Sequence, residues 1–153
     1  MACGLIIITI MFFNNPIESL VENANLSSHN KEVVLYHLFT YFCDMHKVEL
    51  DYIKQHDAKP NDDKLTEDNI KKQRKVYNKY WQREDQYWEP CSVGNTIHYD
   101  LQQVNEVKVL EDGEDNFLVV FKYGKDESAY GSGTKAYQIS TFKGKPKIVN
   151  QYF

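Results

Sequence analysis

Four residues of this chain have the chemistry of an acid–base site: His46, Glu49, His98 and Asp100. His46 and Glu49 are three positions apart inside a run of helical periodicity, so they share one face a turn apart. Leu35, Leu38, Phe42, Met45 and Tyr52 recur at steps of three and four on that face, and Phe39 and Ile53 widen it. Two polar side chains therefore sit on a stripe whose pattern calls for burial. A carboxyl group in an apolar pocket holds its proton more tightly and serves as a general acid or base. Tyrosine hydroxyls from a neighbouring sheet would polarise a carbonyl. The competing reading puts His46 and Glu49 at the wet mouth of the helix, bonded to tyrosine hydroxyls and without catalytic role. The rest of the sequence favours that second reading, because nothing else in it points to a substrate.

Motif-level chemistry is otherwise missing. The chain has no Gly-rich phosphate loop, no His-Glu-x-x-His and no Cys-x-x-Cys pair. Gly131-Ser132-Gly133 lacks the strand–elbow–helix setting of a hydrolase nucleophile and reads as a hairpin loop. Histidines 29, 37, 46, 56 and 98 show no ligand spacing, and Cys3, Cys43 and Cys91 are odd in number and far apart. No metal, cofactor or disulfide framework is expected. A net charge of -4 argues against nucleic acid as a partner. At 153 residues, 42% hydrophobic and 26% charged, the composition is that of one soluble globular domain. The 11 Tyr, 8 Phe and 2 Trp fit a half-wet sheet face, a lined pocket or a binding surface.

The elements that must position these residues are read from periodicity. Residues 1–30 stand apart. They hold an apolar run, Gly4 to Phe13, broken only by Thr9, and a lead-in with a short helical piece at Ile17–Asn23. The run falls short of the roughly 20 residues a membrane-spanning helix needs, and no Lys or Arg precedes it. A core-packed strand or helix, the stub of an anchor that starts further upstream, and a non-native leader all remain open. Membrane association is expected only through residues 4–13. A strong helix begins after Ser28 or Asn30 and runs to about Gln55, and His56–Lys64 reads as a loop around Pro60. Thr66 is expected to cap a second helix with an Ile70–Tyr77–Trp81 stripe, its basic face of Lys71, Lys72, Lys75, Lys79 and Arg83 lying in solvent. Pro90 ends that region.

From Val104 the period changes to two. Val107 and Val109 are followed by an acidic Asp-Gly turn, then by Phe117, Val119, Phe121 and Tyr123 on one face. After a loop with Gly124, Gly131 and Gly133 come Tyr137, Ile139 and Thr141, a Lys143-Gly144 turn, and a last strand with Ile148 and Val149. Helices followed by four sequential strands predict an α+β domain over 31–153, with N-terminal helices packed on a curved antiparallel sheet.

Specific segments add a family likeness. Val76-Tyr77-x-x-Tyr80, Glu89-Pro90-Cys91-Ser92-Val93-Gly94, Tyr99-Asp100, Glu106-Val107-x-Val109 and the closing Lys147-Ile148-Val149 resemble the nuclear transport factor 2-fold immunity proteins of bacterial polymorphic toxin systems. Met45-His46-Lys47-Val48-Glu49 is similar to that family's first helix. The resemblance runs from about Val33 to Tyr152; Val93 and Leu101 depart from the pattern, which has an aromatic residue and a proline there. It implies a cone-shaped, cystatin-like nuclear transport factor 2 fold and a cytoplasmic, non-catalytic inhibitor of a cognate toxin's C-terminal domain. A membrane-associated or periplasmic location follows instead if residues 4–13 belong to an anchor, and the sequence leaves a dimer open.

Tyr80, Tyr87, Trp88, Tyr99 and Asp100 are the candidate aromatic and polar partner contacts, with Trp81 more simply a helix-core residue. Glu111, Asp112, Glu114 and Asp115 form an acidic tip suited to the phosphate groove of a nuclease toxin, or else a solvated turn. Two alternatives stand beside this reading. One is an isomerase or dehydratase of the same superfold using His46, Glu49, His98 or Asp100; the other is an anchored envelope accessory domain.

Overall fold

A computed structural model describes residues 15–82, 96–125 and 131–152. The apolar run 4–13, Arg83, Tyr87, Trp88, Pro90 and Cys91 lie outside the described residues. Three helices open the described chain: α1 (Pro16–Ala24), α2 (His29–Ala58) and α3 (Asp63–Tyr80). Each begins where a short polar side chain satisfies an orphan backbone N–H. Asn15 accepts from the Ile17 amide, Ser28 from Lys31 and Asp62 from Leu65.

The third cap corrects the sequence expectation. Asp62, not Thr66, starts α3, because its carboxylate both bonds an amide and faces the positive end of the helix dipole. The Thr66 hydroxyl instead meets the Tyr52 hydroxyl at 3.2 Å, tying α3 to α2. The expected loop His56–Lys64 shrinks accordingly, since α2 continues to Ala58 and α3 starts at Asp63. The inner face of α3 also differs from the expected stripe. It buries Asn69, Gln73, Tyr77 and Tyr80, while Ile70 is only half-buried.

A 3-10 turn, Leu101–Gln103, leads into four strands: β1 (Val104–Glu111), β2 (Asn116–Tyr123), β3 (Gly133–Ser140) and β4 (Lys147–Tyr152). They form one antiparallel meander in the order β1-β2-β3-β4. Val109 pairs with Val119, Val119 with Tyr137, and Ile139 with Ile148, which lines these residues up on one buried face. The alternation of β1 breaks at a bulge between Asn105 and Lys108, where Glu106 takes a positive φ of 51°.

The core fills the space between this face and α2. Phe42 approaches Phe121 and Tyr137 edge-on, both at 5.7 Å between ring centres, and Phe39 meets Phe121 at 6.0 Å. At the far side Trp81 bridges to Ile148, and the Gln82 amide donates to the Ile148 carbonyl at 2.8 Å. The chain leaving α3 therefore covers part of the β4 edge. The architecture is α+β, three helices against a four-stranded antiparallel sheet. No helix among the described residues is long and apolar enough to cross a membrane.

Candidate functional site

Glu49 lies on the inward stripe of α2 and is 2% exposed. Facing it is residues 96–100, a stretch with no ladder or helix partner for its amides. Such amides need acceptors when they pack against a core. Glu49 supplies them. The His98 amide donates to both carboxylate oxygens at 3.1 Å, the Tyr99 amide to Oε2 at 3.2 Å, and the His98 ring through Nδ1 to Oε1 at 3.0 Å. The carboxylate is thus a clamp that fastens the approach to β1 onto the middle of the helical layer.

The wet-mouth reading of Glu49 is corrected: the carboxylate points inward and is buried, with the His98 and Tyr99 amides and the His98 ring donating to its oxygens. His46, one turn earlier, is half-buried, makes no hydrogen bond to Glu49 or His98, and leaves its buried Nδ1 without a partner among the described residues. Asp100 turns away to cap the 3-10 turn, its Oδ1 accepting from Gln102 at 2.9 Å. Its amide donates to the Tyr123 hydroxyl at 3.0 Å. Of the four candidate acid–base residues, the structure joins Glu49 and His98 only.

A fifth residue at this end was not singled out from the sequence. Lys135 pairs with Phe121 across β2 and β3, so it lies on the core-facing side of the sheet. Its ammonium sits 4.1 Å from the centre of the Tyr123 ring. Burial lowers the Lys135 pKa, against a weaker upward pull from the charge of Glu49. Burial likewise pushes Tyr123 up to about 12, opposed by the hydrogen bond from the Asp100 amide and assisted by the charges of Asp100 and Glu49. The signal was present in the sequence: Lys135 shares strand parity with Tyr137 and Ile139, and a charge in a core row is uncommon.

The candidate partner contacts divide sharply. Tyr80 is 4% exposed, and its hydroxyl donates to Asp44 at 2.6 Å while its carbonyl accepts from His37 Nε2 at 3.0 Å. It is a strut between α2 and α3 rather than a surface anchor, because the inner face of α3 carries it toward Asp44. Burial raises the Asp44 pKa, but the bonds from Tyr80 and Lys79 outweigh it and hold the carboxyl below its usual value. Tyr99 is half-buried and turns its ring inward, 5.1 Å from Phe42 and 5.5 Å from Tyr41. Tyr87 and Trp88 lie outside the described residues.

Glu111, Asp112, Glu114 and Asp115 are all exposed, at the β1–β2 turn. The backbone there is well held. The Asp112 amide bonds the Asn116 carbonyl at 2.9 Å, and the Thr141 amide bonds the Asp115 carbonyl at 2.7 Å. That second bond sets the β3–β4 turn, Phe142–Gly144, beside the acidic one. Phe142 is 65% exposed. A concavity of about 430 Å³ lies between the turns, lined by Gln82, Glu114, Asp115, Asn116, Ser140 and Phe142. Phe142 was missed because an aromatic next to a Lys-Gly turn reads as strand end, not as a surface anchor.

Among the described residues no group of His, Cys, Asp and Glu is placed to hold a metal ion. Comparison with protein-family models, curated proteins and solved structures finds no match for the chain.

Proposed function

We propose that this chain is an immunity protein, a stoichiometric and non-catalytic inhibitor that binds the toxic C-terminal domain of a cognate bacterial polymorphic toxin in the cytoplasm. Its scaffold in this reading is the cone-shaped nuclear transport factor 2-like form of the α+β fold. The observation that carries the proposal is the double-turn end of the sheet, where exposed Phe142 stands beside four exposed carboxylates on a hydrogen-bonded backbone. An aromatic anchor beside clustered carboxylates suits an inhibitor of a basic catalytic groove. The rim is of mixed sign, with the Lys143 ammonium over the Phe142 ring and Lys31 3.9 Å from Glu111. A standard interface of about 1,600 Å² centred there would reach both turns and the end of α3. The clamp role of Glu49 supports the same reading, since it gives this buried carboxylate a structural task that needs no substrate.

The test is co-expression with the C-terminal domain of the adjacent upstream gene product. Growth rescue with a one-to-one complex on purification supports the proposal. A toxic domain that kills regardless and never co-purifies, or a neighbour without toxicity, sinks it.

A further inference from the structure

We propose that the outer face of the sheet binds a second copy of this chain face to face, making a two-fold dimer. The buried row of β2 is Phe117, Val119, Phe121 and Tyr123, so Leu118 and Val120 point the other way. Across the ladder Leu118 pairs with Leu110 and Gln138. Val120 pairs with Lys108 and Ala136, and Ala136 with Tyr152. Leu110, Leu118, Val120, Ala136 and Tyr152 therefore make one apolar band across all four strands. Leu110 is 49% and Tyr152 46% exposed, and the three between them are half-buried. The helices contribute Ile17, Phe42, Tyr77 and Trp81 to the core on the opposite face, and among the described residues no helix packs over this band.

The polar groups of the face are already ordered. The Tyr152 hydroxyl donates to Gln138 Oε1 at 3.4 Å, and Gln138 Nε2 donates to Asp112 Oδ2 at 3.0 Å. A surface ordered before contact loses less side-chain freedom on association.

Charge order along β1 selects a second copy as the occupant. Lys108, Leu110 and Asp112 share the outer face at steps of two, a cation and an anion on either side of an exposed leucine. Among the described residues neither Lys108 nor Asp112 has an ion-pair partner in its own chain. A two-fold axis along the Leu110–Leu118–Gln138 row sets each strand antiparallel on its own copy. Leu110 and Leu118 then pack on themselves, and Lys108 faces Asp112 of the other copy, twice by symmetry. The area is sufficient. Three strands of 8 residues and one of 6, about 4.8 Å apart and about 3.3 Å per residue, give a flat footprint of roughly 500 Å². Side-chain relief adds to it, and the smaller stable interfaces bury about 600 Å² per partner. With the axis across the strands, the double-turn ends of the two copies lie at opposite ends of the dimer.

Analytical ultracentrifugation of the full chain over about 1–100 μM tests this without any toxin domain, so its outcome is independent of the immunity reading. The expected result is a reversible monomer–dimer equilibrium in the wild type and a monomer throughout for Leu110→Glu, a substitution at an exposed position. Lys108→Asp alone and Asp112→Lys alone each set like charges opposite one another at two symmetric places. Each should raise the dimer Kd by about tenfold or more. Combining them restores opposite charges and should return the Kd to near the wild-type value. A wild type that stays monomeric at about 100 μM overturns the proposal, as does association that Leu110→Glu leaves unchanged. A combined variant that dimerises no better than the single ones overturns the Lys108–Asp112 contact, and the two-fold arrangement with it.

Discussion

Replacing Glu49 tests the clamp directly. In Glu49→Ala the His98 and Tyr99 amides and the His98 ring lose their acceptor together, at a position only 2% exposed. An unsatisfied buried donor costs about 1–3 kcal/mol, and removing one side of a buried charged network about 3–5 kcal/mol. Water can reach the half-buried 96–100 segment, which holds the sum toward the lower figure, about 3 kcal/mol. Glu49→Gln keeps one acceptor but turns an NH₂ toward amide donors, so it should lose about 2 kcal/mol. Against a total stability of about 5–15 kcal/mol either loss is large. In urea, with a slope of about 1–3 kcal/mol per molar, the midpoint of Glu49→Ala should fall by 1 M or more on this order-of-magnitude scale. Amide exchange at His98 and Tyr99 should accelerate more than exchange in β2. A change below about 0.5 kcal/mol, the range of ordinary surface substitutions, would refute the clamp. A gain in stability would refute it too, and would fit a strained active-site carboxylate instead.

Other perturbations read other parts of the account. Tyr80→Phe removes the 2.6 Å bond to Asp44 and should cost about 1 kcal/mol by urea denaturation. Asp44 has a lowered folded pKa, so its stabilisation is present above the unfolded carboxylate value and is lost as pH falls through the folded one; Asp44→Asn should flatten that acid limb. His37 is also shifted down, by burial, against the hydrogen bond to the Tyr80 carbonyl. The unfolded chain therefore takes up that proton first as pH falls below 6.5, and stability should decline from there toward the lowered value, a slope absent in His37→Gln. Phe142→Ala should leave the melting curve within about 0.5 kcal/mol yet weaken toxin-domain binding by tenfold or more.

What was legible in the sequence was what short-range periodicity encodes. Phe117, Val119, Phe121 and Tyr123 alternate without interruption, and the structure buries all four on one face. The stripe on α2 was equally plain, because a 3.6-residue repeat is local, whereas Ser28 and Asn30 both offered a cap and the structure uses Ser28. Thr66 and Asp62 are both good caps, and only the contact of Thr66 with Tyr52 across the helical pair decides between them. The Glu49–His98 clamp joins residues from distant parts of the chain, and no spacing rule encodes which amides a buried carboxylate meets. Tyr80 illustrates the same limit. Its helical position was readable, but its burial depends on Asp44 from the other helix. Lys135 is different, since its parity was visible and was absorbed into a glycine-rich loop.

The most direct test of the central claim is calorimetric titration of the purified toxin domain into this chain, wild type against a variant with Phe142→Ala and lysine in place of Glu111, Asp112, Glu114 and Asp115. The expected result is one-to-one binding by the wild type that weakens with added salt, and loss of binding in a variant that still melts cooperatively. Undiminished binding by the variant would contradict the claim that the double-turn end of the sheet carries the partner, and absence of binding by the wild type would contradict the immunity reading itself.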